Sequence, residues 1–245
     1  VSRTAAALVI GDEILTGKVQ EQNVAHLGHA LFRIGIRLRK VVVCPDDVDE
    51  IVGELNAMRA QFDHVFTSGG VGPTHDDVTI RAVARAFDVE VTRSPEMERL
   101  IRAHFAEATT EAHLRLADVP AGASLVRNAE VPWPTVHLGN VFVLPGVPEI
   151  FRMKLGVLRE LLGREGEGHF ISRAVYADSD EWDLAPILDR LVQEHPGVAI
   201  GSYPRFRGGD YKVKLTFDGT DPGTVDKAAD ALVAALPPER IIRRD

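Results

Sequence analysis

Short apolar runs alternate with stripes of helical period through residues 1–165, and that rhythm admits few folds. The runs are Ala5 to Ile10, Ile36 to Val43, His64 to Thr67 and Val141 to Leu144. Between them Val24, Leu27, Leu31 and Ile34 share one helical face, closed by Gly35. Val48, Ile51, Val52 and Leu55 share another, behind Asp46 and Asp47 as capping residues. Ile80, Val83, Ala84 and Phe87 give a third stripe. Ser94-Pro95 opens a helix with Met97, Leu100, Ile101 and Phe105 inside, and Pro148 one with Phe151, Leu155, Leu158 and Leu162. This order predicts an α/β fold of three layers, with helices on both faces of a mostly parallel sheet. From Thr109 to Thr135 the periodicity weakens and Pro120, Gly122, Pro132 and Pro134 punctuate the chain. Ordered excursions of that length are often functional.

The pattern changes after Gly163 to His169, the best candidate for a linker. Phe170 to Ala177 reads as a strand, and Leu184, Ile187, Leu188, Leu191 and Val192 as a helical face. Val198 to Tyr203 is a strand, and Tyr211, Val213, Leu215 and Phe217 alternate strictly. Val225, Ala228, Ala229, Leu232 and Val233 form a second helix before Ile241-Ile242. The order βαββαβ predicts a small α+β ferredoxin-like domain at 170–245, following a larger domain at 1–165.

A net charge of −8 argues against nucleic acid as a partner, because a binder needs a basic stripe to neutralise phosphates. Local basic clusters (Arg33 to Lys40, Arg205 to Lys214, Arg240 to Arg244) are read as strand faces exposed to water, the first two because apolar residues alternate with the cations. The single cysteine, Cys44, excludes an internal disulfide and a zinc site built on several cysteines. No stretch is long enough to span a membrane, and Ala5 to Ile10 is too short for a signal-peptide core. A cytoplasmic protein is expected.

Three loops follow strands at their carboxyl ends, the edge where open α/β sheets bind ligands. The most informative is Ser68-Gly69-Gly70-Val71-Gly72-Pro73-Thr74-His75-Asp76-Asp77-Val78-Thr79. Its glycines let backbone N–H groups approach an anion, and the helix that follows adds its positive end. Two adjacent carboxylates beside a phosphate repel it unless a divalent cation lies between. The loop therefore predicts Mg²⁺-dependent phosphate chemistry, with Asp76 or Asp77 holding the metal or orienting a nucleophile. A glycine turn followed by Asp76 as an ordinary helix cap is the plainer alternative.

The second loop is Gly11-Asp12-Glu13-Ile14-Leu15-Thr16-Gly17, with Asn23 at the next helix start. Its acids either serve a site or are solvated turn residues. The third is Leu144-Pro145-Gly146-Val147-Pro148-Glu149. Pro148 and Glu149 suit a helix start in their own right, while Gly146 would allow backbone to approach a ligand. Trp133 either stacks on a planar ring or anchors packing.

These loops, in this order, resemble the motifs of the CinA (competence/damage-inducible protein A) family, from Thr4 to about Leu162. The resemblance implies a molybdopterin-binding-domain-like fold, shared with MoaB/MogA-like proteins, and the segment Ile200-Gly201-Ser202-Tyr203-Pro204 is similar to the small domain that follows in such proteins. It implies metal-dependent hydrolysis of a nucleotide pyrophosphate such as ADP-ribose or FAD. The alternatives are a non-catalytic carrier of molybdopterin or a nucleotide, or adenylyl transfer to molybdopterin. On this resemblance Asp77 matches the acid that ends the glycine motif, and Asp12 or Glu13 the first-loop acid. Gly69, Gly70, Gly72 and Thr74 would cradle phosphates, with His75, Thr79 and Asn23 beside the ligand. Asp12, Glu13, Asp76 and Asp77 would bind Mg²⁺ or another divalent metal, with Asp77, Asp76 and Asp12 catalytic and Gly146 and Glu149 closing the site. A homo-oligomer is expected by analogy. The chain departs from the family in two places: His75 stands where lysine is common, and Val131-Pro132-Trp133-Pro134-Thr135 replaces a glycine-containing turn. It stops at Asp245, before the deamidase domain of full-length CinA proteins, so nicotinamide-nucleotide deamidation is expected to be absent.

Overall fold

A computed structural model describes residues 3–127, 131, 133–163, 169–206 and 208–245. The chain forms two compact units, Val1–Glu165 and Gly166–Asp245. Residues 164–168 of the expected linker, and Pro132, lie outside the described residues.

The first unit begins with β1 (Arg3–Ile10), the short α1 (Asp12–Leu15), α2 (Asn23–Arg33), β2 (Ile36–Cys44), α3 (Val48–Gln61) and β3 (His64–Ser68). The chain continues through α4 (Thr79–Ala86), β4 (Val91–Arg93), α5 (Pro95–Phe105), α6 (Glu111–Arg115), β5 (Asp118–Pro120) and β6 (Ser124–Val126). It ends with β7 (Thr135–Leu138), β8 (Val141–Leu144) and α7 (Pro148–Leu162). The main sheet has the order β2-β1-β3-β8-β7-β6. Its first four strands are parallel, and β7 and β6 join antiparallel, so the sheet is mixed.

Strand β1 explains the three layers. Successive side chains of a strand point to opposite faces. Ala6, Leu8 and Ile10 accordingly pack with Ile51, Leu55 and Met58 of α3 and Ala82 and Val83 of α4. Ala5 and Ala7 pack on the other face with Leu27 and Leu31 of α2 and Phe151 and Leu158 of α7. Both cores are closed to bulk solvent: Leu8, Leu27, Leu31, Ile51 and Leu55 are all at most 1% exposed. At roughly 1.5–3 kcal/mol for each large apolar side chain, these layers dominate the unit's stability.

The stretch from Thr109 to Thr135 is not a bare loop. It contains α6, β5 and β6, and β5 pairs antiparallel with β4 to form a separate two-stranded ribbon. Under it Met97, Ile101, Leu114 and Ala117 make a satellite core, with Phe105 and Trp133 packed against it.

The second unit contains β9 (Ile171–Ala177), α8 (Glu181–Glu194), β10 (Ala199–Pro204), β11 (Val213–Gly219), α9 (Pro222–Ala235) and β12 (Ile241–Arg244). Its sheet is antiparallel with order β10-β11-β9-β12, the arrangement expected of a ferredoxin-like βαββαβ unit. Val175, Leu215, Phe217, Leu184, Leu191 and Leu232 form its core.

Candidate functional site

The carboxyl ends of β1, β3 and β8 lie side by side, which brings the three loops together. Gly69 N–H donates to the carbonyl of Leu144 at 3.2 Å. A methyl group on Gly146 would stand 3.3 Å from the Gly69 Cα, so these two loops touch backbone to backbone. Asn23, 4% exposed at the start of α2, ties them further. Its Nδ2 donates to the Gly146 carbonyl at 2.8 Å and to Ser68 Oγ at 3.0 Å. Thr79 Oγ1, also buried, donates to the Gly69 carbonyl at 2.8 Å. Asn23, Thr79, Gly69 and Gly146 thus build the frame of the loop.

Asp77 braces the glycine loop from inside. Its carboxylate accepts from Gly72 N–H at 2.6 Å, from Thr74 N–H at 2.8 Å and from the Thr74 hydroxyl. It does not cap α4, which starts two residues later with no side-chain cap. Held this way, Asp77 fixes which N–H groups remain for an anion. Asp77→Ala is expected to release Gly72 and Thr74. Their amide exchange, followed by NMR, should accelerate at least tenfold, with a loss of global stability of about 1–2 kcal/mol at most.

Of the remaining candidate acids, Asp76 shares the Thr74 hydroxyl with Asp77, while Asp12, Glu13 and Glu149 lie apart from this brace. Asp12 and Glu13 are exposed on α1, and the N–H of Asp12 donates to Asp46 Oδ2 at 2.9 Å. Asp46, which the sequence suggests only as a helix cap, belongs to this acidic edge. Burial raises its carboxyl above the usual carboxylate range, the Asp12 N–H opposes that, and the charges of Glu13, Asp12 and Asp76 push it up further. The capping role falls to Asp47, which accepts from the N–H groups of Asp49 and Glu50. Asp76 is exposed and held below the usual range, chiefly by the Thr74 hydroxyl. Among the described residues no three His, Cys, Asp or Glu side chains converge as a metal-ligand set. Glu149 is exposed and lies 4.0 Å from Arg152.

A cavity of about 790 Å³ opens on the other side of the glycine loop. Gly70, Gly72, Thr74, His75 and Asp77 line one end of it; Asp12, Glu13, Asp76, Asn23, Gly146 and Glu149 do not. Its apolar walls come from Ile80, Met97, Phe105, Trp133, Val136 and Val143, and its cationic groups include Arg81, Arg115 and Lys154. Trp133 packs edge-on to His104 at 5.5 Å between ring centres, and His104 edge-on to Phe105 at 4.7 Å. Arg115, Leu116, Asp118, Trp133 and Pro134 of the stretch from Thr109 to Thr135 line the cavity too, so the long segment helps to shape the pocket.

Lys154 sits under Trp133. It is 7% exposed, and its Nζ donates to the carbonyls of Trp133 at 3.0 Å and Pro134 at 2.7 Å, and to Thr135 Oγ1 at 3.4 Å. Burial lowers its pKa to about 8. Sequence reasoning missed it, although one signal was present: a charge three residues after Phe151 and four before Leu158, on the inner face of an apolar stripe. Arg81 and Arg115 give no such signal.

Residues 6–163 match the family described as a probable molybdopterin binding domain, and residues 169–245 match the middle domain of FAD synthase. A probable FAD synthase of Caenorhabditis elegans is 32% identical over 255 residues, which cover 94% of this chain and 49% of that protein. The chain therefore spans about half the length of that relative. A protein of Archaeoglobus fulgidus is 32% identical over 219 residues, 89% of this chain and 92% of its own length. The solved structure of CinA from Thermoplasma acidophilum matches at a TM-score of 0.60 and 28% identity, covering 66% of this chain and 98% of that one. No helix among the described residues is long and apolar enough to cross a membrane. With a braced glycine loop at the carboxyl edge of a mixed α/β sheet and a family match over residues 6–163, the chain belongs to the molybdopterin-binding-domain family, joined here to a unit of the FAD synthase middle-domain type.

Proposed function

We propose that the first unit binds a phosphate-bearing planar heterocycle, a pterin or a nucleotide, with its ring in the cavity and its phosphate at the glycine loop. One observation carries this reading: a single cavity runs from Gly70, Gly72 and Thr74 to an aromatic wall at Trp133 and Phe105. Its volume lies in the upper part of the range usual for small-molecule sites, ~300–1,000 Å³. Backbone N–H groups of the loop other than those of Gly72 and Thr74, which Asp77 holds, suit an anion, while the apolar walls suit a ring. The FAD synthase name of the relatives makes flavin nucleotides natural first probes. Calorimetric titration with FAD and ADP-ribose is expected to show binding that Trp133→Ala weakens about tenfold, the scale of ~1–1.5 kcal/mol for an aromatic contact. Equal affinity in the variant would sink the placement of the ring.

A second reading is hydrolysis of a nucleotide pyrophosphate, favoured by the crowded carboxylates of Asp12, Glu13, Asp46 and Asp76. Their oxygens are the hard donors that Mg²⁺ takes. As placed, these carboxylates do not converge as a ligand set. Release of AMP from ADP-ribose or FAD, assayed with and without divalent metal in wild type and Asp46→Asn, tests it: metal-dependent release lost in the variant supports hydrolysis. Retention of ligand without turnover leaves the binder. Adenylyl transfer, the third alternative, requires ATP-dependent product only when the pterin is supplied.

A further inference from the structure

The glycine loop, Ser68 to Thr79, contains neither lysine nor arginine, so a fixed positive charge for a phosphate must come from outside it. Two arginines line the cavity beside the loop: Arg81 in the first turn of α4 and Arg115 at the end of α6. Arg115 reaches the loop itself, donating to the Pro73 carbonyl at 3.3 Å. Asp77 and Asp118 are the acids that line the cavity, and each already has partners: Asp77 the loop, and Asp118 the guanidinium of Arg93 at 3.1 Å. Glu111, one turn before Arg115, is also bound to Arg93, at 2.6 Å. Among the described residues neither Arg81 nor Arg115 has an acidic partner within 4.0 Å. In a chain of net charge −8, two arginines with no acidic side chain within 4.0 Å among the described residues, Arg115 feeling Glu111 only from beyond that distance, share one cavity with the glycine loop.

We propose that Arg81 and Arg115 form the phosphate clamp of this cavity, so that the site selects a heterocycle carrying a phosphate over the same heterocycle without one. The inference rests on the cavity being the ligand site, as argued above, and adds which side chains read the anion. Guanidinium groups suit that task because their planar forks match phosphate oxygens, and charge-assisted bonds are the strong ones. Both side chains belong to exposed residues, so their replacement leaves the core intact.

The test compares ligands that differ only in the phosphate: FMN against riboflavin, and AMP against adenosine. Each is titrated by equilibrium dialysis into the full chain as wild type, Arg81→Gln, Arg115→Gln and the double variant. Thermal unfolding serves as the control for folding. Wild type should bind the phosphorylated member of at least one pair about tenfold or more tightly than its partner. Each glutamine should cost that ligand about tenfold, the double variant should abolish the preference, and the phosphate-free ligand should be unaffected. Undiminished affinity for the phosphorylated ligand in the double variant overturns the clamp while leaving the cavity as the site. Failure of all four ligands to bind wild type overturns the cavity reading itself, and the clamp with it.

Discussion

Gly69→Ala is expected to destabilise the first unit by about 3 kcal/mol or more and to abolish ligand binding at the glycine loop. The backbone of Gly69 has φ +106°, a conformation that residues with a side chain rarely adopt. A methyl group there would also overlap the carbonyl oxygen of Ile10, the last residue of the central strand. That obstacle is backbone held inside a sheet, so it has no rotamer to escape into. Relief requires moving β3 away from β1 or swinging the loop outward. The second course breaks the Gly69 N–H bond to Leu144 and the Thr79 hydroxyl bond to the Gly69 carbonyl. For a unit of this size, the midpoint of thermal unfolding should fall by roughly 6–12 °C. Gly122→Ala is the matched comparison, because Gly122 also has positive φ, at +78°, but nothing within 4 Å of an added methyl. Its cost should be about 1 kcal/mol, from backbone conformation alone. Calorimetry of the two variants separates close approach from conformation. Similar losses would show that the contact at Ile10 is not what fixes Gly69.

The architecture was legible because it rests on periodicity. The uninterrupted run Ala5 to Ile10 can be buried on both faces only as a central strand, and four of the five helical stripes supply the two covering layers, the fifth (Met97, Ile101) going to the satellite core. The ferredoxin-like order of the second unit followed from the same logic. The ribbon of β4 and β5 was not legible: strands of three residues carry too few alternations to register, and each is defined by its partner. The candidate site divides along a similar line. Glycines with obligatory turns show in a sequence: Gly69 and Gly70 both turn with positive φ, while Gly70 and Gly72, but not Gly69, line the cavity. Asp77 shows as an acid beside a phosphate loop, but the direction of its carboxylate depends on the turn at Pro73 and Thr74, which no periodicity encodes. The sequence assigned Asp46 a cap because it precedes a helical stripe. Its carboxylate instead accepts the N–H of Asp12, a residue 34 positions away, and only the parallel pairing of β1 with β2 makes them neighbours.

Lys154→Met should remove a rise in stability with pH that the wild-type protein shows between about pH 8 and 10.5. Lys154 ionises near 8 in the folded protein, below the usual lysine value of 10.5, because burial disfavours the ammonium. Between those values the unfolded chain holds the proton and the folded one does not. Raising the pH through that window therefore favours folding, by at most about 3 kcal/mol at its upper end, while below pH 8 the ammonium must be kept buried. Three acceptors, the carbonyls of Trp133 and Pro134 and the Thr135 hydroxyl, make that tolerable. Methionine fills similar volume without a charge, so the variant should show no rise from this source. It leaves two carbonyls without a donor, however, at about 1–3 kcal/mol each. The strand start at Thr135 and the ring at Trp133 should then loosen together. Trp133 and Trp182 are the only tryptophans, and Trp182 is 87% exposed. In a Trp182→Phe background, emission therefore reports Trp133 alone. A red shift in Lys154→Met, together with a flat stability profile above pH 8, would establish Lys154 as the prop of the cavity's aromatic wall. An unshifted spectrum would mean that His104 and Phe105 hold the ring in place without it.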